Sequence, residues 1–174
     1  MLDRVAESFG QKCYEVPVGF KYISAKMMET NAVIGGESSG GLTVRGHIPG
    51  KDGIYAASLL IEMIAVLGKK LSQILNDIKE IYGELTMEER DYPLSEQKRD
   101  QIYQQLLIDK LIPKLLFEIE KISYLDGCKV YFRNGGWVIT RFSGTEPLLR
   151  IFCEMPNAED AKLICETYET FLLL

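Results

Sequence analysis

The most informative stretch of the sequence is Lys129-Val130-Tyr131-Phe132-Arg133-Asn134-Gly135-Gly136-Trp137-Val138-Ile139-Thr140-Arg141-Phe142. Two runs rich in β-branched and aromatic residues flank an Asn-Gly-Gly turn, and this pattern predicts a β-hairpin. A third strand is predicted at Leu148 to Glu154. Apolar residues at helical spacing then predict a closing helix from Ala158 to Leu172. This half of the chain therefore predicts an α+β domain, with an antiparallel sheet and helices on one side.

The first half has a different pattern. A strand is predicted at Lys12 to Val18, a short helix at Ser24 to Glu29, and a brief strand at Asn31 to Ile34. The second strand stops at the glycine-rich loop Gly35-Gly36-Glu37-Ser38-Ser39-Gly40-Gly41. Because helices alternate with short apolar strands, the first half predicts an α/β unit with a parallel sheet.

Two further helices are predicted before the composition changes. The residues from Ile54 to Leu67 are apolar on nearly every face, which is typical of a helix buried between layers. Leu71 to Tyr82 has the apolar spacing of an amphipathic helix, and Gly83 ends it. The polar stretch from Met87 to Gln97 marks the region around a domain junction. We therefore expect a first domain at residues 1–82 and a second at residues 83–174.

Composition limits the classes of function. The chain has 174 residues, 47% of them hydrophobic and 26% charged, which is typical of a soluble globular protein. Its formal net charge of -5 argues against a general nucleic-acid binder, since that function needs a basic surface. The four cysteines form no C-x-x-C pair and there is one histidine, so no metal site is expected. The longest apolar stretch is too short to span a bilayer, and we expect a cytoplasmic protein without a membrane partner.

The glycine-rich loop carries a carboxylate and hydroxyls that suit a polyol. Glu37 can accept two hydroxyl hydrogen bonds in a directed, charge-assisted way, and Ser39 adds a hydroxyl beside it. Glycines allow a ligand to approach the backbone closely. The following segment, Arg45 to Gly53, brings His47 and Lys51 to the start of a helix, where anions bind favourably. A solvated flexible loop, with His47 merely packed in it, is the alternative that the residues leave open.

The segment from Arg141 to Arg150 predicts a phosphate cradle. A guanidinium can pair with phosphate in a bidentate way, hydroxyls can donate to it, and a glycine lets neighbouring amides converge on an anion. The residues that supply these groups are Arg141, Ser143, Gly144 and Thr145. Glu146 would repel a phosphate, so we expect it to pair with Arg150 or to hold the shape of the loop. The alternative is a polar hairpin turn with an ordinary surface Arg–Glu pair.

Four segments together resemble the α-D-phosphohexomutases, the phosphoglucomutase/phosphomannomutase family. Arg141-Phe142-Ser143-Gly144-Thr145-Glu146-Pro147, with Arg150, closely resembles the phosphate-binding signature of that family. Gly36-Glu37-Ser38-Ser39-Gly40 resembles the sugar-binding loop. Gly46-His47-Ile48-Pro49-Gly50-Lys51-Asp52-Gly53 and Val18-Gly19-Phe20-Lys21-Tyr22-Ile23 resemble two further active-site segments of glucose-preferring members. Two departures are Ser38, where Glu, Gln or Met is common, and Gly41, where many mannose-using members have His.

The resemblance implies a fold and a missing partner. Family members have three related α/β domains and a mobile fourth domain similar to the TATA-binding-protein fold. By that resemblance this chain holds the latter part of domain three and all of domain four. The nucleophilic serine loop and the magnesium loop have no counterpart in residues 1–174. The resemblance thus implies the missing N-terminal domains as a partner, and Mg²⁺ and glucose 1,6-bisphosphate as cofactor and activator of the complete enzyme.

The resemblance also implies an activity and a role for each site residue. The complete enzyme would be an isomerase that interconverts hexose 1-phosphate and hexose 6-phosphate through a phosphoserine and a bisphosphorylated intermediate. The phosphate that is not reacting would be held by Arg141, Ser143, Gly144, Thr145 and Arg150. The sugar would be held by Glu37, Ser39 and Lys21, with His47 and Lys51 assisting catalysis. The alternative is a stand-alone phosphosugar-binding or regulatory module without catalysis.

We predict that the purified 174-residue chain has no mutase activity with magnesium and glucose 1,6-bisphosphate. The reason is chemical, since neither Ser39 nor Ser143 has a trio of aspartates beside it to hold a metal ion and activate the hydroxyl. A coupled assay with glucose 1-phosphate should give the rate of a no-protein control. Turnover above that control would contradict the prediction.

Overall fold

A computed structural model describes all 174 residues. The chain divides into two compact units, Met1–Gly83 and Glu84–Leu174. None of the helices has both the length and the apolar character needed to cross a membrane.

The first unit contains four helices and one small hairpin. Its elements are α1 (Leu2–Ser8), α2 (Phe20–Thr30), β1 (Ile34–Gly36), β2 (Leu42–Val44), α3 (Gly53–Leu67) and α4 (Leu71–Tyr82). The first helix is tied to the end of α4, because Arg4 Nη1 donates to the Tyr82 carbonyl oxygen at 2.7 Å. Gly68, at a φ of 63°, ends α3 in the left-handed conformation that glycine adopts without strain.

The predicted parallel sheet is wrong. β1 and β2 pair antiparallel, with Ile34 opposite Val44. Only residues 37–41 connect them, and so short a loop cannot make the crossover that parallel strands require. The predicted strand at Lys12 to Val18 is also wrong, because no strand lies beside this segment to pair with it.

The predicted helix at Ile54 to Leu67 is confirmed as α3, but it is not buried between layers. Ile54 is 84% exposed and Val66 is 76% exposed, and Ala56 is the one buried residue of this helix. A helix that is apolar on all faces is covered only when elements pack on each of them. Here α3 presents an exposed apolar surface, a feature that marks interaction sites in soluble proteins.

The second unit is one antiparallel sheet with helices. Its elements are β3 (Thr86–Pro93), α5 (Glu96–Tyr103) continued by a π-helical turn (Gln104–Ile108), β4 (Ile119–Ser123), β5 (Cys128–Phe132), β6 (Trp137–Phe142), β7 (Leu148–Met155) and α6 (Ala158–Leu172). The strand order is β3-β7-β6-β5-β4 and every pair is antiparallel. The predicted hairpin, third strand and closing helix are confirmed, as is the antiparallel α+β fold.

Buried and half-buried side chains alternate along the strands, so the core lies on one face of the sheet. On β5 to β7 the buried side chains occupy alternate positions, as the period of a strand requires. The core cluster includes Val130, Phe132, Val138, Leu149, Ile151 and Met155 from the strands, and Ile164, Cys165, Tyr168 and Leu172 from α6. The side chains between these buried positions therefore lie on the opposite face.

The polar stretch near residue 90 is a strand of the second unit rather than a junction region. Three of the half-buried side chains of β3, Glu88, Arg90 and Tyr92, form ion pairs or hydrogen bonds. Arg90 Nη1 lies 2.5 Å from Glu169 Oε1 on α6, and Tyr92 also donates its hydroxyl to Glu169. Burial alone would raise the pKa of Glu169, but the hydrogen bonds from Tyr92 and Arg90 outweigh it and hold that pKa below its usual range. These contacts attach β3 to α6.

We predict that Glu169→Gln destabilises the second unit by about 1–2 kcal/mol at pH 7, because the substitution replaces charge-assisted hydrogen bonds with neutral ones. Because the folded-state pKa of Glu169 is lowered, its stabilisation is present above the ordinary glutamate pKa of about 4.3. It is lost as the pH falls through the lower folded-state value. Urea unfolding at pH 7 and at low pH measures the difference.

Glu166→Gln is the matched control for this test. Glu166 lies on the same helix, is 47% exposed on its side chain and is 3.7 Å from Lys162. Its substitution should change the free energy of unfolding by less than about 0.5 kcal/mol. Equal effects of the two substitutions, or an effect of Glu169→Gln that does not shrink at low pH, would contradict the account of this attachment.

Candidate functional site

The glycine-rich loop closes the β1–β2 hairpin. The Glu37 N–H donates to the Gly41 carbonyl oxygen at 2.8 Å, and the Gly40 N–H donates to the Glu37 carbonyl oxygen at 3.0 Å. Gly35 lies directly against α2, since a Cβ there would stand 2.5 Å from Ile23 Cγ2. The hairpin therefore packs on α2 without an intervening side chain, and this contact fixes where the loop begins.

The structure brings Glu37 and Lys51 together. Lys51 Nζ lies 2.6 Å from Glu37 Oε2, and the Glu37 side chain is only 16% exposed. The Lys51 stem lies across Gly41, where a Cβ would stand 2.8 Å from Lys51 Cδ. The absence of a side chain at position 41 thus makes room for the lysine. A carboxylate held in this way still has lone pairs that can accept hydroxyl hydrogen bonds.

His47 is held at the start of α3. Its Nε2 lies 2.9 Å from Asp52 Oδ2, and its ring stacks on Tyr55 with centroids 3.9 Å apart. Asp52 also caps the helix, since its Oδ1 accepts the N–H groups of Ile54 and Tyr55. The backbone hydrogen bond from Tyr55, followed by the one with His47, lowers the pKa of Asp52. An ionised carboxylate only accepts, so His47 Nε2 donates its proton in this contact.

Two buried hydroxyls fix the backbone before Lys51. Thr43 Oγ1 donates to the Ile48 carbonyl oxygen at 2.7 Å, and Ser24 Oγ donates to the Pro49 carbonyl oxygen at 2.8 Å. Such local bonds give a loop a defined path. The segment that carries His47 and Lys51 is therefore ordered by the hairpin and by α2.

The other two residues predicted to bind the sugar lie apart from these contacts. Ser39 is exposed in the loop. Lys21 is exposed on α2, with its Nζ 4.8 Å from the centroid of the Tyr22 ring, and no contact joins it to Glu37. The structure thus groups Glu37 with Lys51, and His47 with Asp52, but it does not group Lys21 with either pair.

The predicted phosphate loop connects β6 to β7. The Ser143 N–H donates to the Leu148 carbonyl oxygen at 2.9 Å, and the Leu148 N–H donates to the Glu146 carbonyl oxygen at 2.8 Å. The Thr145 N–H lies 3.4 Å from Ser143 Oγ. The amides of Gly144 and Glu146 form no hydrogen bond within the chain. The loop therefore has a fixed base and a tip with free amide donors.

Next to this loop, four charged side chains form a row across the sheet. Arg141 on β6 is directly opposite Arg150 on β7, and Arg150 is directly opposite Asp91 on β3. Arg150 Nε lies 3.7 Å from Asp91 Oδ1, and Arg141 Nη1 lies 3.7 Å from Asp126 Oδ2. Arg150 Nη2 also lies 3.4 Å from Glu146 Oε2, so the predicted pair between these two residues is confirmed.

One donor in this row has no acceptor. Arg150 Nε is buried and makes no hydrogen bond, since 3.7 Å is longer than a hydrogen bond to Asp91. Buried donors in folded proteins almost always have a partner, and an unpaired one calls for an explanation. Two guanidinium groups side by side also repel each other unless an anion or carboxylates neutralise them. Carboxylates supply this neutralisation here, so the feature that the chain leaves unexplained is the buried Arg150 Nε–H without an acceptor.

Three aspartates of these sites were not predicted from the sequence. Asp52 could have been found, because a carboxylate just before an apolar run is an N-cap signal. Asp91 and Asp126 carry no such signal. They are 50 and 15 residues from Arg141 in sequence, and only the register of the sheet brings them near the arginines. No group of three or more His, Cys, Asp or Glu side chains could hold a metal ion.

Two family models match the chain, one in each unit. Residues 1–82 match the family model of the phosphoglucomutase/phosphomannomutase α/β/α domain III, and residues 96–169 match that of the phosphoglucomutase/phosphomannomutase C-terminal domain. The chain belongs to the phosphoglucomutase/phosphomannomutase family. Both family models match in the order expected, and together they include every site residue described above except Asp91.

The curated relatives of this chain carry two different enzyme names. A phosphoglucomutase/phosphomannomutase of Thermococcus kodakarensis is 32% identical over 93% of this chain and 33% of its own length. A phosphoglucosamine mutase of Solibacter usitatus is 31% identical over 92% of this chain and 32% of its own length. The chain thus spans about a third of the curated relatives it matches.

Solved structures of the family share the fold. A crystal structure from Thermus thermophilus, provisionally described as a phosphomannomutase, matches with a TM-score of 0.74 and 28% identity. The match covers 99% of this chain and 34% of that one. A phosphoglucomutase/phosphomannomutase family protein from Burkholderia thailandensis matches with a TM-score of 0.73 and 21% identity, over 98% of this chain and 34% of its own.

We predict that Gly41→Ala separates Lys51 from Glu37 in this family member. The added Cβ would stand 2.8 Å from Lys51 Cδ, closer than real contacts allow, so the lysine stem must move. Nuclear Overhauser contacts between the Lys51 methylenes and the Glu37 side chain should be lost. Gly50→Ala is the control, since a Cβ there meets nothing within 4 Å. Retention of the Lys51 contacts in Gly41→Ala would contradict the prediction.

Proposed function

We propose that this chain is the C-terminal portion of a phosphohexomutase, an intramolecular phosphotransferase that interconverts hexose 1-phosphate and hexose 6-phosphate. Its own task is to bind the phosphate that is not reacting and the sugar hydroxyls. The main support for the proposal is the pair Arg141 and Arg150, which lie opposite each other beside the β6–β7 loop. The buried Nε–H of Arg150 has no hydrogen-bond acceptor. Family membership supports the reaction class, and the names of relatives differ in the hexose.

The phosphate half-site uses three kinds of donor. The Arg141 guanidinium would bind two phosphate oxygens in a bidentate way, since its planar fork matches them. The hydroxyls of Ser143 and Thr145 would donate to the same group, and the free amide of Gly144 would add a backbone donor. Arg150 would direct its unpaired Nε to the anion. Phosphate binding would thus satisfy the donor that the chain itself leaves unpaired.

The sugar half-site uses the loop on the first unit. Glu37 would accept hydrogen bonds from sugar hydroxyls, and Ser39 would accept hydrogen bonds from them or donate hydrogen bonds to them. Lys51, which is paired with Glu37, would supply positive charge or a proton close to these hydroxyls, and His47 would assist it. Lys21 is the most weakly supported of these residues, because its ammonium faces Tyr22 instead.

The nucleophilic serine and the magnesium site of the reaction would lie in N-terminal domains outside residues 1–174. Relatives about three times as long support this division, as does the exposed apolar surface of α3. The roles proposed for this chain are therefore binding of the phosphosugar and, for Lys51 and His47, assistance by charge or proton transfer. We further propose glucose 1,6-bisphosphate as the activator of the complete enzyme and the cytoplasm as its location.

A stand-alone phosphosugar-binding module is a second candidate. It is supported by one feature, namely that each half-site is built from contacts within its own unit. The two candidates predict different mutase activities for a reconstituted mixture. Mixing this chain with the N-terminal domains of a phosphohexomutase should give mutase activity if the chain is an enzyme portion, and none if it is a separate module.

We predict that the chain binds glucose 1-phosphate weakly, with a dissociation constant in the millimolar range, equivalent to about -4 kcal/mol. An NMR titration should shift the amides of Ser143 to Glu146. Arg141→Ala should weaken binding at least about tenfold, because hydroxyls cannot replace a bidentate guanidinium. Arg150→Ala should weaken binding less and should also disorder the loop, because Arg150 pairs with Glu146.

Arg133→Ala is the matched control for the loss of one positive charge. Arg133 is exposed and pairs with Glu118, away from the β6–β7 loop. Its removal should leave the affinity within about twofold of the wild type, since exposed charges are screened by salt. If the loop amides do not move at tens of millimolar ligand, or if Arg141→Ala and Arg133→Ala bind equally, the phosphate half-site is wrong.

A further inference from the structure

The turn between β4 and β5 packs directly against the backbone of Arg141. β5 is the neighbour of β6, with Cys128 opposite Thr140, so the residue before Cys128 lies beside Arg141. That residue is Gly127, at a φ of 87°. A Cβ at Gly127 would stand 2.5 Å from Arg141 Cβ and 2.5 Å from the Thr140 carbonyl oxygen. Only glycine permits both this conformation and this approach.

The same turn places a carboxylate beside the guanidinium. Asp126 Oδ2 lies 3.7 Å from Arg141 Nη1, and the Arg141 side chain is only 14% exposed. This separation is within reach of electrostatic attraction but too long for a hydrogen bond. Asp126 can therefore hold the guanidinium by charge without occupying the N–H groups that would bind a phosphate.

We propose that Asp126 is a positioning residue for phosphate binding, which holds the Arg141 guanidinium in its binding orientation before the ligand arrives. Gly127 makes this contact possible by letting the turn approach the strand. The proposal rests on the proposed phosphate half-site, and it adds to that site a segment that none of the sequence motifs includes. Pre-organisation of this kind lowers the entropic cost of binding, because a long side chain is ordered in advance.

Two physical effects of Asp126 have opposite signs, and this makes the proposal testable. A negative charge near a phosphate repels it, so removal of an ordinary neighbouring carboxylate strengthens anion binding. Removal of a carboxylate that orders the main phosphate ligand weakens binding instead. The sign of the change in affinity therefore separates a positioning residue from a bystander.

The experiment compares Asp126→Ala and Asp126→Asn with Glu120→Ala in the 174-residue chain. Glu120 is an exposed carboxylate on β4, so its loss gives the same change in net charge. Titration with glucose 1-phosphate should show at least about fivefold weaker binding for Asp126→Ala, an intermediate loss for Asp126→Asn, and equal or tighter binding for Glu120→Ala. Asp126→Glu, which restores the charge, should recover part of the loss.

The Arg141→Ala background provides a second comparison. If Asp126 acts through Arg141, Asp126→Ala should not weaken binding further once Arg141 is absent. Equal or tighter binding by Asp126→Ala in the wild-type background would overturn the proposal. So would the same loss of affinity in the Arg141→Ala background, because Asp126 would then act by another route.

A measurement without ligand separates this proposal from the proposed function. The ¹⁵N order parameter of the Arg141 Nε–H group should fall in Asp126→Ala and stay unchanged in Glu120→Ala. An unchanged order parameter in Asp126→Ala would overturn the positioning role, whether or not the chain binds phosphate. Failure of the wild type to bind glucose 1-phosphate, together with a reduced order parameter in Asp126→Ala, would instead reject the phosphate half-site and retain the contact as an ordering device.

Discussion

The register between β6 and β7 is the constraint on which the phosphate half-site depends. It places Arg141 opposite Arg150, and because side chains alternate along a strand, it also places Thr140, Leu149 and Ile151 in the core. A shift of either strand by one residue would bury the arginine of that strand and expose its apolar side chains. The hydrophobic core thus fixes the position of the charged row, and the burial of Leu149 and Ile151 keeps two like charges side by side.

The sugar half-site is ordered in a different way. It depends on one partly buried ion pair, Glu37 with Lys51, and on glycines that let side chains and backbone approach closely. Its strands are only three residues long, so the hairpin takes its position from α2 and from the hydroxyl bonds of Ser24 and Thr43. The sugar half-site is therefore held by local contacts, whereas the phosphate half-site is held by a whole sheet.

Features with strong local signals could be predicted from the sequence. Asn134 and Gly135 predicted the β5–β6 hairpin because few residues accept the positive φ that Gly135 adopts, and the spacing of Ile164, Tyr168 and Leu172 predicted α6. Features that depend on distant partners could not be predicted. The polar side chains of β3 give it the composition of a junction region, because their partner Glu169 lies far along the chain, and Asp126 has no local signal because its partner Arg141 is also distant. The alternation of helices and short strands predicts a parallel sheet, but the short connection at residues 37–41 rules that sheet out.

The position of a bound phosphate tests the central claim most directly. A crystal structure of the 174-residue chain soaked with glucose 1-phosphate should show the phosphate within hydrogen-bond distance of the Arg141 guanidinium and of Ser143 Oγ. Arg150 Nε should also have gained its missing acceptor. A phosphate bound elsewhere, for example on Arg45 or Arg133, with Arg141 still directed only to Asp126, would contradict the account.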